Sequence, residues 1–330
     1  MRKQLLAVTA AAAVALGALG ACASPAEPAG GSPEAAAAAR PDVDEVAFTY
    51  VTAPLNVPSI VERRLGTFAD AFGQDGIEVT YSELTTGPEQ TAALASGDIQ
   101  FLFAVGATSV VLAAANGADI AIVDMYSRSP EAFMLVAGQD GPTSPADLAG
   151  LTVGGPKGTI LHELLLAYLA TGGLSVDDVT FVDMGIPDAQ AALAGGSIDV
   201  ALLAGPAAYG MLADGYRTVT DGAGLVGATI VVATSREFAQ AHPDVVETYR
   251  EAHRALIEHL AANPDEALAM AAEETGLPPD AVRDMYAMYD FTAEVSDADL
   301  AAIADTVDFM VANGMIEEPL DVADLLLAAD

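Results

Sequence analysis

From residue 45 onward, short apolar runs alternate with stretches of helical period. "VAFTYV" reads as a strand, and Val57 to Phe72 as a helix. "IEVTYSEL" is a strand, Pro88 to Ala95 a helix, "IQFLFAV" a buried strand, Thr108 to Ala115 a helix and "IAIVDMY" a strand. The pattern restarts after "AFMLVA". "LTVGGPK" predicts a strand, and "GTILHELLLAYLATGGL" a helix stopped by Gly172 and Gly173. "VTFVDM", "VALLAG" and "ATIVVAT" predict strands, with helices from Pro187 to Ala194 and Pro206 to Ala213. Beyond Ser235 the chain is nearly all helix, broken at Asn263-Pro264, Leu277-Pro278-Pro279 and Asn313-Gly314. This alternation predicts an α/β fold with mainly parallel sheets.

One segment has a twin. "GPEQTAALASGDIQFLFAVG" aligns without gaps on "IPDAQAALAGGSIDVALLAG". Pro88 meets Pro187, Leu94 meets Leu193, Gly97 meets Gly196 and Gly106 meets Gly205, each 99 residues apart (187 − 88). That period is too long for a solenoid. It implies two lobes, each placing the same helix, turn and strand. Residues 46–134 with 233–330 form the expected first lobe and its C-terminal helices, and 135–232 the second. Open α/β sheets bind ligands beyond their strand ends, at helix N-termini. Two such edges face to face make a cleft, with "AFMLVA" and "ATIVVAT" as the hinge strands.

The first 45 residues follow no such pattern. Arg2 and Lys3 precede "LLAVTAAAAVALGALG", which reads as a secretory signal peptide over residues 1–21. It runs into "LGAC", whose Cys22 is the only cysteine of the chain. A small residue before Cys resembles the bacterial lipobox, where the thiol is lipidated. Residues 22–45 then read as the lipidated Cys and a Pro/Gly/Ala-rich tether with a reach of roughly 25 Å. The expected place is extracytoplasmic, anchored by lipid to the cell membrane.

Composition narrows the functions. The net charge is -35 with only two lysines, Lys3 and Lys157, which excludes a nucleic-acid footprint. A lone cysteine excludes a disulfide framework and a Cys-based metal site. No cofactor is expected, and a monomer is.

At this point the chain resembles the extracytoplasmic substrate-binding proteins of ABC importers, in the group that takes up sulfonates, taurine, nitrate and thiamine precursors. The resemblance rests on "VERRLGTFADAFGQDGIEVTYSEL", "GPEQTAALASGDIQF", "SPADLAGLTVGGPKGTILHELL", "GLSVDDVTFVDM" and "REFAQAHPDVV". It implies a two-lobed type II periplasmic-binding-protein fold, a small-molecule ligand in the cleft, and an ABC permease with its ATPase as partners. Two features depart from it: the chain has no tryptophan, and "LLAGPAAYG" replaces an acidic or aromatic segment of taurine binders.

Candidate ligand contacts follow from cleft position. Lys157, Gly158 and Thr159 lead into a helix whose N–H groups suit an anion, although Lys157 could equally be a solvated loop residue. His162 lies one turn further in. Arg128 follows a buried strand, where it either clamps an anionic group or pairs with Asp124 or Glu131. Tyr126 and Tyr209 either line the cleft or fill the core. Asn56 sits at a strand end. Thr86, Gly87 and Gln90 frame one helix start, and Gly106, Thr108 and Ser109 another; such hydroxyls are otherwise N-caps. Gly185, Gly205 and Thr229 occupy the matching ends in the second lobe. The expected ligand is a small anion or zwitterion, foremost an alkyl sulfonate. The alternatives are nitrate, an amino-acid-like solute or a thiamine pyrimidine precursor. An enzyme related to pyrimidine-precursor synthases is the alternative of another class, against which stands the lack of a recognisable nucleophile–base pair.

Overall fold

The computed structural model describes residues 43–51 and 55–327. The expected signal peptide, Cys22 and nearly all of the tether lie outside the described residues. In chain order the elements are β1 (Glu45–Tyr50), α1 (Val57–Leu65), α2 (Thr67–Gly73), β2 (Glu78–Glu83), α3 (Gly87–Ser96), β3 (Leu102–Gly106), α4 (Ala107–Ala115), β4 (Ala121–Arg128), β5 (Phe133–Ala137) and β6 (Thr152–Gly155). There follow α5 (Ile160–Thr171), β7 (Thr180–Asp183), α6 (Ile186–Ala194), β8 (Val200–Ala204), α7 (Gly205–Ala213), β9 (Arg217–Asp221) and β10 (Thr229–Thr234). The chain ends in α8 (Arg236–Ala241), α9 (Pro243–Ala262), α10 (Pro264–Thr275), α11 (Pro279–Tyr286) and α12 (Asp297–Ala312).

Two sheets of one topology account for the sequence repeat. In the second lobe the order is β7-β6-β8-β5-β9, with β6 parallel to β7 and β8, and β5 antiparallel to β8 and β9. In the first lobe β1 pairs β2 in parallel, and β10 lies antiparallel between β3 and β4. A parallel bridge from Phe48 to Phe101 joins these into β2-β1-β3-β10-β4. Each sheet therefore holds one strand running against the rest, β10 or β5. These are the strands that carry the chain between lobes, so the sheets are mixed rather than uniformly parallel.

Two local expectations are corrected. Val57 to Phe72 is not one helix: Gly66, at φ 71°, closes α1 by donating its N–H to Glu62 O and then starts α2. Only glycine enters that left-handed region without steric cost. β9, "RTVTD", was not foreseen. All five of its residues are half-buried, so no apolar alternation marks it.

The first lobe is held by an aromatic cluster. Phe48 stacks on Phe101 at 5.1 Å and Phe101 on Tyr249 of α9 at 4.8 Å, all three fully buried. Truncating such a side chain to alanine costs about 3–5 kcal/mol. This packing makes a rigid floor from which β1 and β3 deliver their ends to the cleft.

Candidate functional site

The ends of β1, β3 and β6, and the helices that follow them, border a cavity of about 70 Å³ between the lobes. It is lined from the first lobe by Asn56, Thr85, Thr86, Gly87, Gln90, Ala104, Gly106 and Ser109, and from the second by Pro156, Thr159, Ile160 and Ile186. Five helices, α1, α3, α4, α5 and α6, begin at this cavity. The first turns of α4, α5 and α6 have no side-chain cap. α3 is closed by a capping box between Thr86 and Glu89, and α1 by the Tyr126 hydroxyl, which accepts the Ser59 N–H at 3.1 Å. Thr159, the N-cap of α5, turns its hydroxyl to Pro156 O at 2.8 Å instead. Main-chain N–H groups of α4, α5 and α6 therefore gather on a space with no ionisable side chain among the described residues of its lining. Each such helix end favours an anion by about 0.3–1 kcal/mol.

Close approach between the lobes is built into the sequence. Ser109 Oγ donates to Gly158 O of the second lobe at 2.8 Å. A Cβ on Gly106 would lie 3.2 Å from Ile160, and one on Gly87 only 2.1 Å from Ser109 Oγ. Ala104 adopts φ 80° and forms a bulge, since Phe103 and Val105 pair with the adjacent residues Val232 and Val231 of β10. A non-glycine residue there is strained. The bulge lies in the cavity wall and bends β3 as it delivers Gly106.

Seven of the sequence-predicted residues meet on the cavity: Asn56, Thr86, Gly87, Gln90, Gly106, Ser109 and Thr159. The others are placed elsewhere, for identifiable reasons. Arg128 is held by Asp299, with Nε–Oδ1 at 2.6 Å and Nη2–Oδ2 at 2.5 Å, and by the carbonyls of Thr292 and Glu294. Neither Asp124 nor Glu131 is its partner. Burial works to raise the Asp299 pKa, but Arg128 and Ser296 together bring it down to about 2. Lys157 is exposed, and its N–H donates to Asp183 Oδ1 at 2.9 Å. Tyr126 is fully buried against Phe103, with its hydroxyl on Ser59. Burial also raises its pKa. His162 packs on Phe181 and takes the Gly158 N–H on Nδ1 at 3.4 Å. Burial, then the Lys157 charge, lowers its pKa to about 4, so it is neutral. Tyr209 and Gly205 border a separate apolar pocket with Met134, Met285 and Tyr289. Thr108 bonds Glu163, Thr229 pairs with Arg128 across the β10–β4 ladder, Gly158 supplies the carbonyl for Ser109, and Gly185 is the N-cap of α6 behind Ile186.

Sequence reasoning missed the apolar wall of the cavity: Val51, Phe133, Ile160, Leu161, Ile186 and Ile230. Ile186 had a usable signal, being the twin of Gly87 in the repeat. Phe133 and Ile230 belong to the strands already read as hinges. An outer hollow of about 340 Å³ shares Val51, Thr85 and Ile186 with the cavity and adds Tyr50, Glu83, Pro187 and Glu274. Among the described residues no group of His, Cys, Asp and Glu is placed to hold a metal ion. Hydroxyls, amides and main-chain N–H groups in such a space can bind and orient a solute. Among the described residues no nucleophile–base pair appears in the lining.

Residues 57–267 match the NMT1/THI5-like family. The chain belongs to that family. The NMT1/THI5-like match runs from the first residue of α1 into α10, and so takes in both lobes and most of the cavity wall. The chain is 28% identical over 275 residues to the taurine-binding periplasmic protein of Escherichia coli, covering 78% of this chain and 84% of that one. Its fold superposes on the alkanesulfonate-binding protein SsuA from Xanthomonas axonopodis pv. citri bound to MOPS, with TM-score 0.80 and 25% identity over 88% of this chain and all of that one. The aliphatic sulphonate-binding protein SsuA from Escherichia coli gives 0.73 and 21% identity over 87% and 93%. The periplasmic-binding-protein fold expected from the sequence is the one observed.

Proposed function

We propose that this NMT1/THI5-like protein is the extracytoplasmic solute-binding component of an ABC importer, and that it captures a small organosulfonate between its lobes. The observation that carries this is the meeting of helix N-termini on an inter-lobe cavity with no ionisable side chain among its described lining residues. A sulfonate is ionised at any physiological pH and presents three acceptor oxygens in a compact tetrahedral head. Donors spread over several helix ends suit that shape better than the planar fork of one arginine, which suits carboxylate. The names of its relatives, which are taurine- and alkanesulfonate-binding proteins, point the same way. At about 70 Å³ the cavity suits a small solute.

Capture rather than turnover is the task of such a site. The loaded, closed form is then delivered to a permease driven by its ATPase, with the protein acting as a monomer. The "LGAC" segment supports lipidation of Cys22 and a membrane-tethered receptor. No described helix is long and apolar enough to cross a membrane.

Calorimetric titration with short alkanesulfonates, nitrate, amino acids and pyrimidines tests the reading. A sulfonate at one hundred times its Kd should stabilise the fold by about 2.7 kcal/mol. Binding of nitrate or a pyrimidine, with no response to any sulfonate, would overturn it.

A further inference from the structure

The start of α5, in the second lobe, lies against the first turn of α4 in the first. Two polar contacts join them. Ser109 Oγ donates to Gly158 O at the cavity, and one turn further along α5 Thr108 Oγ1 donates to Glu163 Oε2 at 2.6 Å. Thr306 of α12, also in the first lobe, donates to Glu163 Oε1 at 2.9 Å. Both carboxyl oxygens are thus held by the opposite lobe, and parting the lobes there must break these bonds.

Glu163 is 5% exposed, yet among the described residues no cation answers it. α4, β5 and β8, which pack on α5, carry no titratable side chain, and neither does the crossover 222–228. From α12 only Asp305 borders the same hollow, of about 250 Å³, which residues 224–227 of the crossover also line. On α5 itself, His162 packs on Phe181 and is neutral. Asp147 lies at the far end of α5, near Tyr168, and is held by Thr143 and Ser144. A carboxylate buried without a cation is costly, whereas the neutral acid is not. A threonine hydroxyl donates or accepts as required, so hydrogen bonds are available to either charge state. Burial is therefore what distinguishes the two states, and it ends when the hollow between α5, α12 and the crossover opens to water.

We propose that Glu163 is a proton-operated latch on the cleft. Protonated, it favours the closed arrangement of the lobes; ionised, it favours their separation. The sign follows from burial. In the closed form burial raises its pKa above the ordinary 4.5, and hydration on opening returns it toward that value. Closure then takes up a proton, and raising the pH through the raised value releases the latch. The device acts on closure whichever solute is held, so it does not rest on the sulfonate reading.

X-ray scattering on the wild-type protein, without added solute and at one fixed salt concentration, tests this between pH 5 and pH 8. The radius of gyration, roughly 19 Å for a compact body of this length, should rise by about 5% toward pH 8. Glu163→Gln, neutral throughout, should keep the compact value. Thr306→Val, which takes one donor from the ionised carboxyl, should move the midpoint of the expansion upward by about half a pH unit. An unchanged or falling radius in the wild type would overturn the proposal. So would an equal rise in Glu163→Gln, which would assign the expansion to repulsion among the other carboxylates. If Glu163→Gln does not fold, an unmoved midpoint in Thr306→Val would overturn it in the same way.

Discussion

Thr108 donates its hydroxyl hydrogen to Glu163 Oε2 at 2.6 Å, and the bond crosses from one lobe to the other. Thr306 of α12 donates to the second oxygen, Oε1, at 2.9 Å. Glu163 is 5% exposed, on the first turn of α5, so a second-lobe carboxyl is gripped by two first-lobe helices. Burial raises its pKa above the ordinary 4.5, and the two hydroxyl bonds only partly offset that.

A raised folded-state pKa means that the folded chain binds the proton more tightly than the unfolded one. The contribution of Glu163 is thus fully present below about pH 4.5 and is lost as pH rises through its raised value. Glu163→Gln removes this dependence. The difference in melting temperature, variant minus wild type, should become more positive from pH 4 to pH 8. A difference constant with pH would show that the carboxyl does not titrate in this range.

Arg128 and Lys157 separate structural charge from ligand contact. Arg128→Met leaves Asp299 ionised, 6% exposed and without its partner, at a cost of about 3 kcal/mol. The survivors should bind sulfonate with unchanged Kd. Lys157→Ala should change neither stability nor affinity measurably, because the side chain is exposed and outside the cavity lining. Denaturant melts with parallel titrations check both. A tenfold loss of affinity in either variant would place that cation at the ligand.

Gly87 is a steric requirement of the site. A Cβ there would lie 2.1 Å from Ser109 Oγ and 2.6 Å from Ser109 Cβ. The hydroxyl can rotate away, at the loss of its bond to Gly158 O, but the Cβ cannot. Gly87→Ala should raise the Kd at least tenfold with little change in secondary structure by circular dichroism. Gly87→Ala with wild-type affinity would mean that α3 shifts freely.

Closure should bend the two crossovers rather than the strands they join. Gly222 N–H donates to Pro130 O and Phe133 O, both at 3.1 Å, so the two crossing segments touch. A Cβ on Gly222 would meet Pro130 O at 2.6 Å, and Ala228, at φ 45°, ends the second segment. We expect a saturating ligand to compact the wild type in X-ray scattering, and Gly222→Ala to compact less. Identical curves with and without ligand would argue for a rigid site.

The anchor is tested in the intact cell. Cys22→Ala should abolish labelling by a fatty-acid analogue and release the protein from the membrane fraction. Labelling that survives the substitution would end the lipoprotein reading.

The sequence alone determined the alternation of strands and helices and the repeated helix-turn-strand, because both are local. Apolar period and the Pro and Gly punctuation act within one turn or one strand. Asn56, Thr86, Gly87, Gln90, Gly106, Ser109 and Thr159 were legible as cavity-lining positions because strand ends and helix starts are marked in the same way. Tertiary structure decided the rest. Nothing local says that Asp299, 171 positions on, neutralises Arg128, or that Glu163 will find Thr108 and Thr306. Charge in a sequence reads as availability, but pairing across long loops consumes it. Likewise an apolar residue such as Ile160 or Ile230 looks the same whether it fills a core or walls a cavity. Only the closing of one lobe on the other tells the two apart.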